Sequence, residues 1–378
     1  MKVVLFANTD WYLYNFRLPL AESLRRSNME VVLMSPPGEY ASRLEAIGFR
    51  WIPFPLSRRG LNPFFELGTI IHLLGVYRRE RPDLLHHFTH KCVLYGSLAG
   101  RLAGVRVIVN SVTGLGYLFI GNGLLRRILR AVIRVLYRLI LGNTQVIFQN
   151  EDDRNEFLSR KMIRPGRSHL IPGSGVDVSS FLVTPEPGGE PVVVLAARML
   201  WDKGVGEFVE AARLLHEQGV SARFVLVGEP YVDNPAAIPA AQLEDWKREG
   251  SVEWWGWRED MPAVYSGANI VCLPSYREGI PRSLIEASAC ARAVVASDVP
   301  GCRQAVRHGK NGLLVPVRDV NELARALKKL IGAPELRHRM GAYGRRLVEK
   351  EFSSEKIVRA TLAVYRCAGL DNLDLQGS

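Results

Sequence analysis

Cysteine is scarce in this chain: five among 378 residues, at 92, 272, 290, 302 and 367, and no two form a C-x-x-C pair. That excludes a disulfide scaffold and reads as buried thiols in a reducing compartment. A membrane span is missing too. The stretch that comes nearest, residues 118–141, holds five arginines, and each would cost about 2.5–3.5 kcal/mol at mid-bilayer. The opening MKVVLFANTDW has too few apolar residues for a signal-peptide core and reads as a first strand, so a cytoplasmic protein is expected. The third absence is of acid: residues 84–150 contain no Asp or Glu but eight basic side chains, Lys91, Arg101, Arg106, Arg126, Arg127, Arg130, Arg134 and Arg138.

What is present is ordinary for a globular chain, with 47% hydrophobic and 23% charged residues. The length predicts two domains. The net charge of +11 points toward phosphates, whether of nucleotide, lipid or nucleic acid. Residues 1–180 hold 24 of the 49 basic but only 13 of the 38 acidic side chains, so the whole excess lies in the first half.

Short β-branched runs alternate with helical patterns: VVLFA, EVVLMS, LLHHF, VRVIVN and QVIFQN, then PVVVLAA, RFVLVG, VEWWGW, NIVCLPS and AVVAS. Such alternation predicts βαβ units and parallel sheets covered on both faces. The fold class expected is α/β, two Rossmann-like doubly wound domains facing a cleft. The breaker-rich 184–191 is read as a linker between domains 1–183 and 192–354. Residues 355–378 are read as a last helix and tail, expected to cross back to the first domain.

Within 118–141, Arg126, Arg130, Arg134 and Arg138 recur every four residues beside apolar positions that include Leu129, Val132, Leu136 and Ile140. A basic helix of this kind, with Arg127, fits an anionic membrane surface or lipid phosphate. The alternative is a core helix with solvated arginines.

The densest chemical signal follows NIVCLPS: Arg277-Glu278-Gly279-Ile280-Pro281-Arg282-Ser283-Leu284-Ile285-Glu286. Gly279 sets a tight turn and Pro281 the first position of a helix whose free N–H groups, near Ser283 and Leu284, suit an anion. Glu278 and Glu286 suit the hydroxyls of a sugar or ribose. Arg198 and Lys203 flank the turn after PVVVLAA, where two cations can neutralise a diphosphate. His86, His87 and His90 have only Cys92 nearby, so no metal site is expected; His87 and His90 are retained as candidates for sugar or acceptor contact. Asp152 and Asp153 are read as acids in a first helical turn behind an Asn150 N-cap.

R-x4-K-G followed by E-G-x-P-x-S-x-x-E-A resembles the donor site of the retaining family-4 glycosyltransferases with the GT-B fold, and the likeness extends over the chain. It implies that Arg198 and Lys203 bind the nucleotide diphosphate, Glu278 the donor sugar and Glu286 the ribose. It further implies that Gly279, Ile280 and Pro281 shape the sugar loop. Gly228, Glu229, Trp257 and Arg258 would border the base. The first domain departs from the wider family: a Gly-Gly turn is replaced by the stretch from Asn8 to Asn15 and Arg17, and a histidine by Asn110, with Thr113 and Gly114 following. Asn15, Arg17, Asn110, Thr113 and Gly114 are therefore acceptor- or sugar-side candidates. These departures, with LSRRGLNP and RPDLLHHFTHK, resemble the subgroup extending polyprenyl-diphosphate-linked oligosaccharides or O-antigen units from UDP-sugars. The partners implied are a UDP-sugar, a polyprenyl-diphosphate-linked acceptor and the inner face of the cell membrane, with no obligate cofactor. A UDP-sugar 2-epimerase is the enzymatic alternative. A nucleic-acid-binding protein is the other, disfavoured because the basic excess lies on an apolar helix without interleaved aromatics.

Overall fold

The structure is a computed structural model that describes residues 1–57, 62–113, 134–231 and 234–370. The chain divides into two compact units, Met1–Gly175 with Glu355–Ser378, and Val176–Ser354.

The first unit is built on seven parallel strands, β1 (Lys2–Phe6), β2 (Glu30–Ser35), β3 (Arg50–Pro53), β4 (Leu84–Phe88), β5 (Val107–Val112), β6 (Gln145–Phe148) and β7 (Ser168–Leu170). They lie in the order β3-β2-β1-β4-β5-β6-β7, and the register pairs Val3 with both Val31 and Leu84. The chain reverses its direction of winding between β1 and β4, the place where open α/β sheets carry ligands. The second unit repeats the plan with β8 (Val192–Ala196), β9 (Arg223–Val227), β10 (Glu253–Trp254), β11 (Ile270–Leu273), β12 (Ala293–Ser297) and β13 (Gly312–Val315). Their order is β10-β9-β8-β11-β12-β13, and its switch lies between β8 and β11.

Alternate residues of one strand feed opposite cores. Val193 and Leu195 pack into one layer, while Val192, Val194 and Ala196 pack into the other. Every residue of β8 is buried, as period-2 geometry requires of a strand with helices on both faces.

The breaker-rich stretch belongs to the second unit and is strapped to it. Arg292, fully buried, donates to Thr184 O (2.8 Å), Thr184 Oγ1 (2.7 Å) and Pro185 O (3.2 Å). Arg337 pairs with Glu186 at 2.8 Å. The division between units therefore falls earlier than a reading from prolines alone suggests. Helix Ser354–Cys367, the last among the described residues, returns the chain to the first unit and is fastened there by Tyr365, whose hydroxyl meets His86 Nδ1 at 2.5 Å.

No helix among the described residues is long and apolar enough to cross a membrane.

Candidate active site

In the second unit the turns following β8 and β11 are sewn together. Tyr276 N and Ser275 Oγ both donate to Asp202 O, at 2.9 and 3.0 Å. Gly204 makes the approach possible. It sits at φ +71°, and a Cβ there would lie 2.1 Å from Pro274 O, so any other residue would be both strained and obstructed. The result is that Lys203 Nζ donates to Glu278 Oε1, joining two side chains far apart in sequence. Both are largely sheltered, with 18% and 11% of their side chains exposed.

A third element fixes the Glu278 loop. Gly301, in helix Pro300–Ala305, lies so close that a Cβ would stand 2.3 Å from Gly279 O and 2.6 Å from Glu278 O. Tyr276 is locked by a hydrogen bond to Glu207 (2.6 Å) and by the Arg318 guanidinium 4.3 Å from its ring centre.

Beyond the loop, helix Arg282–Ala289 starts with Pro281 at the N-cap and no side-chain cap. Its first N–H groups, including those of Ser283 and Leu284, carry the positive end of the helix dipole. Pro281 sits one position earlier than the first-turn place expected of it.

Glu286 is buried in the same helix. Arg282 Nε donates to its Oε1 at 2.6 Å and the Tyr265 hydroxyl to its Oε2 at 3.2 Å. Burial raises the carboxyl pKa, while Arg282 and Tyr265 pull it down. Each oxygen keeps a lone pair for a further donor.

Around this centre, Arg198 is exposed with its guanidinium 5.4 Å from the Tyr231 ring centre. Gly228 (φ +133°) is pressed against Ala197, where a Cβ would lie 1.9 Å from the carbonyl oxygen, and its own oxygen accepts from Trp254 Nε1 at 2.8 Å. Glu229 is exposed, and so is Trp257, at 47%. Arg258 is held bidentately by Asp260 at 2.8 and 2.7 Å on the surface. Arg198, Lys203, Glu278 and the start at Ser283 thus belong to one end of one sheet. Sequence reasoning missed Arg282, Tyr265 and Gly301. Arg282 had a signal, its i, i+4 spacing to Glu286; the other two act through space alone.

The first unit corrects three expectations. His87 is wholly buried between Tyr77 OH (3.1 Å) and Asn110 Oδ1 (2.9 Å). Asn110, equally buried, also accepts from Ser97 Oγ (2.9 Å) and donates to Thr144 Oγ1 (3.0 Å). Burial holds His87 neutral, with its pKa lowered to about 4. Both are core groups and are not presented to a ligand. Arg17, 5% exposed, lies with its guanidinium 4.3 Å from the Phe88 ring centre and donates to Tyr12 OH at 2.6 Å. It too is an interior group.

Asn15 bonds back to Trp11 O (3.0 Å), His90 Nδ1 meets Tyr137 OH (2.7 Å), and Thr113 is half-buried after β5. Gly114, Arg126, Arg127 and Arg130 lie outside the described residues. In the helical segment 134–141, Tyr137, Ile140 and Leu141 are buried, whereas Val135, Leu136, Arg138 and Leu139 are exposed. Arg134 is half-buried. Ile140 therefore serves the core and Leu136 faces outward, so the apolar positions are split between two faces.

Comparison with known proteins agrees with this architecture. Residues 190–333 match the family described as glycosyl transferases group 1, and residues 2–150 match glycosyl transferase 4-like. The chain is 31% identical, over 89% of its length and 91% of the relative's, to the N,N'-diacetylbacillosaminyl-diphospho-undecaprenol alpha-1,3-N-acetylgalactosaminyltransferase of Campylobacter jejuni. It is 23% identical, over 73% of each chain, to the UDP-Gal:alpha-D-GlcNAc-diphosphoundecaprenol alpha-1,3-galactosyltransferase of Escherichia coli. Among solved structures, Anabaena Alr3699/HepE in complex with UDP aligns at a TM-score of 0.78, with 17% identity over 97% of this chain and 100% of that one. With this agreement over both sheets, the chain belongs to the group 1, 4-like glycosyltransferases and carries their GT-B fold of two parallel-sheet α/β units.

Proposed function

We propose that this glycosyltransferase moves an N-acetylhexosamine, or a related sugar, from a UDP-sugar to a polyprenyl-diphosphate-linked saccharide. Transfer retains the anomeric configuration and takes place on the cytoplasmic face of the membrane, in glycan or O-antigen assembly. The observation that carries this reading is the Lys203–Glu278 pair beside the uncapped start of helix Arg282–Ala289, at the switch point of the second sheet. A diphosphate needs cations and free N–H groups, and a sugar needs a carboxylate; this one place offers all three. The acceptor class rests on the two relatives, whose names specify diphospho-undecaprenol-linked substrates.

In this reading, charge developing on the departing diphosphate is stabilised by Arg198, Lys203 and the amides near Ser283, without an obligate metal. Glu278 holds the sugar hydroxyls and Glu286 the ribose. The acceptor oxygen attacks on the face the diphosphate leaves. One alternative, a covalent intermediate on a carboxylate of the first unit, has Asp10 as its candidate. Asp10 is buried and already accepts from Trp11 N, Tyr40 N and Ala41 N at 2.8–2.9 Å, which favours the single-face route.

The test is sugar transfer to a polyprenyl-diphosphate saccharide, followed by mass spectrometry for wild type, Lys203→Ala and Glu278→Ala. Transfer that collapses in both variants supports the reading. Wild-type turnover in either one overturns the site assignment.

A further inference from the structure

Helix Pro63–Glu80 of the first unit is divided along its length. Its second half supplies Leu73, Val76 and Tyr77 to the core. Of the first half, 64–72, no residue is buried, yet it carries four large exposed apolar side chains: Phe64 (84% exposed), Phe65 (77%), Leu67 (56%) and Ile71 (60%). Phe64, Leu67 and Ile71 follow helical spacing i, i+3, i+7 and so share a face. The segment is nevertheless fixed. Asn62 caps it through Phe64 N (3.0 Å), and Lys91 ties it down by pairing with Glu66 (2.5 Å) and donating to Ser57 O (2.9 Å). An exposed apolar stripe held in this way, with Phe65 beside its first turn, marks an interaction surface.

Its surroundings select the occupant. Helix His90–Leu102 shares a core with this helix through Cys92 and Ala99, and shares the next core with segment 134–141 through Val93. Arg101 joins the last two by donating to Leu139 O at 2.6 Å. The three elements thus lie side by side on one face of the sheet, and 134–141 exposes Val135, Leu136 and Leu139 together with Arg138. The last two elements fall within residues 84–150, which have no acid. Two copies of this chain packed isologously would set that cationic surface against itself. An anionic bilayer answers both the apolar side chains and the charge.

We propose that Phe64, Phe65, Leu67 and Ile71 form a wedge that enters the acyl layer of an anionic membrane, with Arg138 at the headgroups. This rests on the membrane part of the reading above and places insertion on an element other than the arginine-rich helix.

The test uses the full chain with the exposed Cys367 replaced by Ser, and an environment-sensitive fluorophore on Phe65→Cys or, as control, on the exposed Glu217→Cys. Vesicles are phosphatidylglycerol with phosphatidylcholine, without any saccharide acceptor. The expected result is a blue shift and shielding from aqueous quencher at position 65 only. Phe64→Ser/Phe65→Ser should also lose at least tenfold in vesicle affinity, with UDP binding by calorimetry unchanged as the check on folding. A label at 65 that stays in water while the protein is vesicle-bound overturns the proposal, as does a double variant that cosediments like wild type. So does a wild-type dimer in solution that the double variant dissolves. If wild type ignores anionic vesicles altogether, the membrane reading falls with it; UDP binding and sugar transfer judge the donor site separately.

Discussion

The Lys203–Glu278 pair leads to an unusual expectation for Glu278→Gln. In the wild-type chain Lys203 is engaged by a carboxylate, so under the proposed function a nucleotide diphosphate competes with Glu278 for it. A hydrogen bond to a charged group contributes about 1.5–3 kcal/mol net; with both partners charged the bond belongs at the upper end, and with an amide acceptor, where only the ammonium is charged, at the lower end. The side chains are only 18% and 11% exposed, so solvent screening removes little of that difference. Replacing the carboxylate by an amide should free Lys203 by about 1–1.5 kcal/mol, which is about five- to tenfold in affinity. UDP alone, titrated calorimetrically, should therefore bind the variant more tightly than wild type. Sugar transfer by the same variant should fall about a hundredfold or more, since removing one group that stabilises the transition state costs roughly 3 kcal/mol. Tight UDP binding with poor turnover is the signature. UDP that binds Glu278→Gln more weakly than wild type would refute the idea of competition for Lys203.

Three further outcomes follow from single contacts. Gly204→Ala places a Cβ 2.1 Å from Pro274 O at φ +71°; a loss of about 2–4 kcal/mol is expected in denaturant unfolding, with UDP binding lost alongside. Arg282→Met removes the stronger of the two partners that oppose the upward shift of Glu286 by burial, leaving Tyr265. The folded-state pKa then rises further above the unfolded value of about 4.3, so stability is greatest below that value and declines as pH rises through the folded pKa; thermal melts across pH would show the steeper decline. Asn110→Leu leaves His87 and Thr144 without their partner in the core. It should cost about 2–4 kcal/mol of stability, with KM for the acceptor unchanged in the surviving folded protein.

The long apolar strands were legible because a parallel strand covered on both faces must be apolar throughout. Three shorter ones were not. Arg50–Pro53 ends in a proline, Ser168–Leu170 has three residues, and Gly312–Val315 opens on a glycine, so none shows the apolar run that marked the others. That the candidate residues of the second unit come together was legible for a local reason: strand, glycine turn and helix start follow one another in sequence. The contribution of Gly301 was not, since it depends on close approach to two carbonyls across the fold. His87 and Asn110 misled because polar side chains near strand ends suggest a ligand. In the structure they satisfy each other inside the sheet–helix layer, and Gly96 exists to admit the His87 ring, 2.5 Å from where a Cβ would be.

The central claim is retaining transfer from a UDP-sugar to a lipid-linked saccharide. Its most direct test is NMR of the product formed by wild-type protein from an isotopically labelled UDP-N-acetylhexosamine and a polyprenyl-diphosphate saccharide. The expected product carries a new glycosidic linkage whose anomeric proton keeps the donor's configuration. An inverted anomer, or labelled sugar never reaching the saccharide, would contradict it.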